Sequence, residues 1–551
     1  MRRSLSLLIA SVLVTISLPG LSESHASASA SAPTWQLLAN PAPGNPGAMF
    51  LMTNGQVLVE DQGNLQSGSP NWWFLTPTSS GSYVNGTWST AASMPSGYNP
   101  LYFASAVLPD GRFLVEGGEF NGTSTFAGTN QGAIYDPVAN TWTAVSPPNG
   151  GQGCWANIAD APATVLANGT FLLGASGTRT STCDALFNES TLTWTSTGAG
   201  KADPNPEEGF TLMPNGNVLD VNTGTTPTIL GGTRNTEIYN ATTGTWSSAG
   251  NTPVALDNND AEIGPASLMP SGQIFAEGAT GATALFDTTS STWSAGPQLP
   301  VVGGAQMTAS DSCAAVLPDG NVLFNASPNQ TPPTAWYTFN GTTISSVAND
   351  VAMPASTEQS NYCNALVLPT GQVLVDDRGG PGTLEVYNGG GTPQKSWLPV
   401  VTSLPSTITA GSTESFNGLQ LSGLDQGSYL GDDLTNATNY PLLQVTNMQT
   451  HQVTYARTSG FTYMGVAPGT ASSAQFILPT NADNGPATAR VITNGIASAP
   501  QRVTVTNGAK VKTKVKRKPP RRRVSLVCVR HGVVRRVSGF SPRCPAGYQR
   551  R

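Results

Sequence analysis

One short motif recurs seven times along the chain and constrains its fold more than any other feature. In its clearest copy, residues 106–117, two apolar runs flank a turn made by Pro109, Asp110 and Gly111. Proline fixes φ at the first corner and glycine accepts a positive φ, so the motif predicts a tight β-hairpin. Successive turn glycines are 47 to 58 residues apart, and they are Gly55, Gly111, Gly169, Gly216, Gly272, Gly320 and Gly371.

A second motif follows the first in most repeats. An apolar-aromatic run and a short turn lead to Thr-Trp in residues 134–142, and the same pattern ends at Trp194, Trp246 and Trp293. A shortened copy ends at Trp88, while the sixth and seventh repeats depart from the pattern. The motif adds a second hairpin, so each repeat predicts four strands. Seven such units with a period of about 50 residues predict an all-β, seven-bladed propeller of the kelch type.

Two stretches are candidates for closing the ring. Thr34-Trp35 precedes the first hairpin, where a Thr-Trp strand would complete the last blade. We expect this strand to pair with the seventh repeat, because an unclosed ring exposes a strand edge. The alternative is that Ser396-Trp397 fills that place and Trp35 packs outside the blade.

Composition and local patterns divide the 551-residue chain into four parts. Gly 60 and Pro 42 would indicate disorder in an aperiodic sequence, but here they lie at the repeated turns. Residues 1–30 have a positive start at Arg2, an apolar run and small residues near Ala30, which predict a signal peptide. We therefore expect a secreted or cell-surface associated protein with no transmembrane segment. The propeller is assigned to residues 33–400.

A different alternating pattern begins after the last repeat. Residues 401–507 carry short half-buried strands and turns, which are typical of an immunoglobulin-like β-sandwich. The predicted strands are residues 416–421, 441–446, 473–478, 487–492 and 501–505.

The C-terminal tail, residues 508–551, is strongly basic. It has 15 Lys and Arg and no acid. Removing these residues and those of the leader from the totals of 26 and 32 leaves 9 basic and 31 acidic residues in the body. Like-charge repulsion predicts that residues 510–523 are unstructured, while residues 524–528 and 543–547 form a small disulfide hairpin. The tail is expected to contact an anionic cell-surface polymer; the alternatives are that it contacts the acidic body of the protein itself or is a solvated extension. Export argues against nucleic acid as a partner.

Six cysteines in an exported chain indicate disulfides. We expect Cys528 to pair with Cys544, and Cys154 with Cys183 across the third hairpin. Cys313 and Cys363 precede neighbouring inner strands, so they either bridge two blades or remain buried thiols. Their spacing is not that of a zinc site.

The signal peptide, the seven repeats and the following domain together resemble the galactose oxidase family over residues 33–507. The closest likeness lies in the second domain, at Met448-Gln-Thr450-His451 and Gln501-Arg502-Val-Thr-Val. The resemblance implies that a Thr-His histidine from this domain enters the propeller axis and binds copper, and His451 stands at the matching place. The family also needs a Tyr-His pair, a second tyrosine and a cysteine linked to tyrosine. The other two histidines are His25 in the leader and His531 in the tail.

One imidazole cannot supply the several nitrogen ligands that copper(II) favours. We therefore expect no cofactor, no metal and no catalytic residues of the oxidase type.

Residues just before the inner strands are the candidate ligand site, because they open onto one mouth of the central channel. Counting nine residues back from the turn glycines gives carboxylates and tyrosines, which suit a cation or sugar hydroxyls. The alternative is that these acids satisfy backbone amides or are solvated, and that His451 is a packed, hydrogen-bonded loop residue and not a ligand. Glu207 and Asp260 lie beside two of the positions. The candidates are Tyr102, Asp160, Glu208, Glu262, Asp311 and Tyr362, with His451 from the second domain.

These observations favour a secreted, monomeric, non-catalytic binder of extracellular carbohydrate or cell-surface polymer. The alternatives are a divergent carbohydrate-active enzyme, either an oxidase or a hydrolase, and a structural surface protein. Paired carboxylates suit a glycoside hydrolase, but no pair is singled out by spacing.

Overall fold

The structure, a computed structural model, describes residues 34–63, 67–126, 128–177, 180–206, 208–223, 234–258, 262–352, 356–376, 381–427, 435–436, 438–507 and 522–551. These residues are all-β and contain no α-helix. Among them, no helix is long and apolar enough to cross a lipid bilayer. The predicted leader and residues 508–521 lie outside the described ranges. The described residues include four short 3-10 turns, at Pro148–Gly151, Gly153–Ala156, Ser360–Tyr362 and Lys395–Trp397.

Seven blades form the first part of the chain, as the repeated turn predicts. Each turn glycine has φ between 78° and 87°. Each also donates its backbone N–H to the carbonyl three residues earlier at 2.8–2.9 Å. Positive φ strains residues with a Cβ, which explains why glycine recurs there. The inner two strands of blades 1 to 7 are Pro46–Leu51 and Val57–Asp61; Ala104–Val107 and Phe113–Glu116; Ala163–Val165 and Phe171–Gly174; Phe210–Leu212 and Val218–Val221; Ala266–Leu268 and Gln273–Glu277; Ala314–Val316 and Val322–Ala326; Asn364–Val367 and Val373–Asp376.

The Thr-Trp motif forms the outermost strand of a blade and anchors it to its neighbour. The indole N–H of Trp142 donates to the backbone oxygen of Ala92 at 3.0 Å, and that of Trp194 donates to Ser146 at 3.0 Å. These tryptophans therefore hold blades together. The outer strands of blades 1 to 6 are Trp72–Thr76 and Thr87–Thr90; Gly132–Asp136 and Thr141–Val145; Asp184–Asn188 and Thr193–Thr197; Asn235–Asn240 and Thr245–Asn251; Thr283–Asp287 and Thr292–Ala295; Ala335–Phe339 and Ile344–Ser346.

The ring closes through its N-terminal strand. Thr34–Leu37 pairs antiparallel with Glu385–Asn388, and Trp35 lies opposite Tyr387. The competing stretch, Lys395–Trp397, is a 3-10 turn and adds no strand to the blade. The predicted closure by Thr34-Trp35 is therefore the one present. Four short strands complete this part of the chain in two antiparallel pairs: Pro100–Leu101 with Phe120–Asn121, and Val301–Val302 with Ala305–Gln306.

A β-sandwich follows. All five predicted strands are present within one or a few residues of their expected ends. Four further strands are present that the sequence did not predict. One of them, Val453–Ser459, connects the two sheets of the sandwich, because its first half pairs with Leu442–Asn447 and its second half with Ala471–Ile477. The nine strands are Val400–Ser403, Thr407–Ala410, Thr413–Leu419, Leu442–Asn447, Val453–Ser459, Ala471–Ile477, Gly485–Thr493, Ile496–Ala497 and Gln501–Asn507.

The three expected disulfides are formed: Cys154–Cys183, Cys313–Cys363 and Cys528–Cys544. The second of these joins the entrances of the sixth and seventh blades, so the alternative of two buried thiols is wrong.

Residues 507–551 form a separate compact unit. Its described residues make a three-stranded sheet in which Val524–Arg530 pairs on one side with Val533–Gly539 and on the other with Gln549–Arg550. The hairpin thus turns at His531-Gly532. The expected pairing of residues 524–528 with residues 543–547 is wrong, although the disulfide joining those two stretches is present.

Candidate functional site

A segment of the sandwich enters the propeller channel and contacts its inner strands. Gln426 is central to this segment and is 4% exposed. Its side-chain oxygen accepts the backbone N–H of Leu212 at 2.5 Å, and its amide donates to the hydroxyl of Thr164 at 2.9 Å. Its backbone exchanges hydrogen bonds with Leu268 at 2.6 and 3.1 Å. One residue therefore ties together blades 3, 4 and 5.

Residues that follow Gln426 in the chain contact blades 7 and 1. Thr435 and Asn436 add a short parallel strand beside Ala365 in blade 7. The hydroxyl of Tyr440 donates to the backbone oxygen of Leu51 in blade 1. Two cavities beside Gln426, of about 20 Å³ each, are lined by inner strands of blades 6 and 7 and of blades 2 and 3. Each has room for about one water molecule. The described part of the channel is thus packed and offers no ligand chamber.

The opposite side of the propeller, where each inner strand begins, carries most of the candidate residues. Tyr102, Asp160, Glu262, Asp311 and Tyr362 each lie a few residues before the inner strand of a different blade. Because all the inner strands run in the same direction, these five positions surround the same mouth. The other two positions beside them, Glu207 and Asp260, lie outside the described residues.

Several mouth residues have a strained backbone. Tyr102, Ala159 and Asp311 have φ of 54°, 58° and 47°. Such left-handed conformations cost roughly 1–3 kcal/mol each for residues with a Cβ, and they cluster at ligand-binding sites. The Asp311 carboxylate is held by the side-chain amide of Gln330, and its backbone N–H donates to Ile263 at 3.0 Å. The sixth-blade entrance is thereby fixed against the fifth.

Asp160 belongs to a cleft of about 280 Å³ at this mouth. The hydroxyl of Ser176 donates to the Asp160 carboxylate at 3.1 Å, and Asp160 is 4% exposed. Phe126 on the rim is 58% exposed. The cleft combines carboxylate acceptors, a hydroxyl and an aromatic face. Its lining residues are Glu119, Phe126, Ala159, Asp160, Ser176, Gly177 and Pro206.

Two predicted site residues lie elsewhere. Glu208 precedes the inner strand of blade 4, but its side chain is fully buried against Lys201 at 3.3 Å. The Glu208 side chain does not face the mouth, because it is directed at Lys201, which lies in the connection between blades 3 and 4. His451 is exposed in the turn between Leu442–Asn447 and Val453–Ser459, and its backbone N–H donates to Asn447 at 3.0 Å. The segment that enters the channel is instead the one carrying Gln426, so the placement of His451 at the axis is wrong.

The residues present do not fit a copper site of the kind that the resemblance implies. Where a histidine would project into the channel, the described segment presents Gln426, whose side chain is already bonded to two blades. The described residues contain no group of three or more His, Cys, Asp or Glu side chains arranged to hold a metal ion.

No known family signature and no curated protein matches the sequence. Among solved structures, the chain is similar to a fungal alcohol oxidase of the AA5 family, determined in complex with copper, at 15% identity and a TM-score of 0.48. That similarity covers 86% of this chain and 100% of the oxidase. The chain is also similar to the WD40 β-propeller domain of Doa1, at 10% identity, with a TM-score of 0.39 over 66% of this chain and 98% of that domain. These similarities concern the fold alone.

Proposed function

We propose that the protein is a non-catalytic binder of extracellular carbohydrate, and that the sugar occupies the Asp160 cleft at the channel mouth. The observation that carries this proposal is the exposed ring of Phe126 beside a buried, oriented carboxylate in one concavity. Sugars present hydroxyl donors and an apolar ring face, and this lining offers an acceptor and an aromatic surface for them.

The size of the cleft also favours a small ligand. Its volume of about 280 Å³ lies near the lower end of small-molecule sites, which span about 300–1,000 Å³. The two cavities beside Gln426 in the described part of the channel, of about 20 Å³ each, are too small for a sugar, which favours the mouth as the location. The three disulfides fit an oxidising, extracellular compartment, and the basic tail would hold the protein on an anionic surface.

A glycan array followed by titration calorimetry tests the proposal. Phe126→Leu keeps an apolar side chain but removes the ring, and Phe126→Tyr keeps the ring. Losing part of a buried phenyl face costs about 1–2 kcal/mol, so we expect Phe126→Leu to weaken the Kd roughly tenfold. Phe126→Tyr should bind nearly as well as the unmodified protein.

Glu189→Gln is the matched control, because Glu189 lines a different cleft of about 500 Å³ between blade 3 and the sandwich. Binding that is lost in Glu189→Gln and retained in Phe126→Leu would move the site to that second cleft. A protein that binds no glycan on the array would contradict the proposal.

A further inference from the structure

Lys201 lies in the connection between blades 3 and 4, and its side chain has no solvent exposure. Its ammonium contacts three carboxyl groups from successive parts of blade 4. The nearest is Asp220, which is hydrogen-bonded to Lys201 Nζ. Glu208 Oε1 lies 3.3 Å and Glu237 Oε2 3.6 Å from the same nitrogen. A primary amine is thus held directly against a carboxyl group.

The pocket around this amine is apolar apart from the acids. The rings of Trp246 and Phe210 have centroids 4.3 and 5.8 Å from Lys201 Nζ. A fourth acid, Asp184, accepts hydrogen bonds from the indole of Trp246 and from Asn205. One cation against four ionised acids would leave three uncompensated charges in a dry site, so protonated carboxyls are strongly favoured.

The titration directions agree with this arrangement. Burial raises the pKa of Glu208 and of Asp220, and it raises the pKa of Asp184 to about 7. Burial lowers the pKa of Lys201, but the surrounding acids, Asp220 first, raise it by more. Lys201 and Asp220 are therefore in contact as an ion pair, beside Glu208, whose raised pKa favours its protonated form and which can exchange protons with both.

We propose that Lys201 and Asp220 condense into an intramolecular amide bond, with Glu208 relaying the protons. The three groups are in contact, fully buried and enclosed by aromatic rings, so water cannot compete as a nucleophile. The bond would join the connection between blades 3 and 4 to the second strand of blade 4.

The reaction is a dehydration and needs no other reactant. Lys201 Nζ first passes one proton, through Glu208, to the Asp220 carboxylate, which gives a neutral amine and a neutral acid. The nitrogen lone pair then attacks Cγ of Asp220, and a C–N bond forms. The C–OH bond breaks, and its hydroxyl leaves as water with a second proton from Nζ that Glu208 relays. Glu208 ends in its starting state, and nothing is oxidised or reduced.

The hydrogen bonds of the neighbouring acids explain the assignment of roles. Glu237 accepts the backbone N–H groups of Ala202 at 3.0 Å and Asp203 at 3.2 Å, one on each carboxyl oxygen. These bonds hold it as a carboxylate. Among the described residues, neither oxygen of Glu208 receives a backbone hydrogen bond. Glu208 is therefore the acid that is able to accept and release protons during the reaction.

Peptide mass spectrometry of the full purified chain tests the bond. Trypsin cleaves after free lysine but not after a lysine whose amine is in an amide. After reduction of the Cys154–Cys183 disulfide, we expect one peptide spanning residues 180–234, lighter by one water, about 18 Da, than the mass of its reduced sequence. Residues 180–201 and 202–234 recovered as separate peptides would overturn the proposal. So would an uncut peptide of full mass.

Two variants distinguish a loss of the amide bond from a loss of the folded structure. Glu208→Gln keeps the shape of the side chain but cannot relay protons, and we expect it to yield the two separate peptides from a protein with an unchanged far-ultraviolet spectrum. Complete bond formation in Glu208→Gln would overturn the role of Glu208. Lys395→Met, at an exposed lysine of the body, is the matched control and should retain the linked peptide.

Discussion

Replacing Gln426 tests whether the channel segment holds the propeller and the sandwich together. Gln426→Ala removes the acceptor of the Leu212 N–H and the donor to Thr164. A buried donor left without a partner costs about 1–3 kcal/mol, and a lost neutral hydrogen bond costs about 1 kcal/mol. We therefore expect the free energy of unfolding to fall by about 2–4 kcal/mol, a large part of the 5–15 kcal/mol typical of folded proteins.

The assay is unfolding in guanidinium chloride, followed by tryptophan fluorescence. Gln475→Ala is the control, because Gln475 is an exposed glutamine on a sandwich strand and its loss is expected to change stability by no more than about 0.5 kcal/mol. The midpoint for Gln426→Ala should fall clearly below that of the control.

A double-mutant cycle with Thr164→Val isolates the bond between the two side chains. Residues that share a hydrogen bond have interaction energies of about 0.5–3 kcal/mol, whereas independent sites are additive. A Gln426→Ala effect equal to that of Gln475→Ala, or strict additivity with Thr164→Val, would refute the view that Gln426 locks the blades.

Four further outcomes are expected. Trp35→Ala should lower the melting temperature, with a loss of about 2–4 kcal/mol, because Trp35 packs on Trp336 and Tyr387 at ring-centroid distances of 4.8 and 4.9 Å; an unchanged melt would argue against closure by this strand. Protein soaked in copper and desalted should retain no stoichiometric copper by atomic absorption; one copper per chain would contradict this. Burial raises the pKa of Asp425 to about 7, so its native state favours the protonated form, and that stabilisation is lost as pH rises through 7. Asp425→Asn should therefore gain stability over the unmodified protein at pH 8 relative to pH 5, by up to about 2.7 kcal/mol, and equal gains at both pH values would refute this. A chain ending at Asn507 should bind isolated cell walls less than the intact protein, with a difference that shrinks as salt rises; equal binding would exclude an electrostatic anchor.

The blades could be predicted from sequence because their signals are local. A turn glycine and the strands beside it lie within about a dozen residues, and the outermost strand is identified by its Thr-Trp motif. The closure by Trp35 follows from the same local motif. The disulfides were predictable because paired cysteines flank one hairpin or precede neighbouring inner strands.

The contents of the channel could not be predicted in this way. Gln426 bonds to residues 214 and 262 positions away in the chain, and nothing in its neighbourhood repeats. The assignment of Glu208 to the channel mouth is wrong, because counting back from a turn glycine gives a position along the chain but not the direction of the side chain. One available signal was Lys201, a rare cation within an acidic body, since a buried acid cluster needs such a partner.

The acidic residues of the propeller form two structural classes, those buried in the second strands and those before the inner strands. Counting acids in the sequence does not distinguish the two classes. In five blades the second strand carries, at its last or next-to-last position, a carboxyl residue that is at most 1% exposed. Burial raises the pKa of Glu116 and Glu277 well above the usual range, which favours their neutral forms. The folded body therefore carries less negative charge than its 31 acids imply, and ligand attraction at the mouth depends on the carboxyls before the inner strands. The buried series is Glu60, Glu116, Asp220, Glu277 and Asp376.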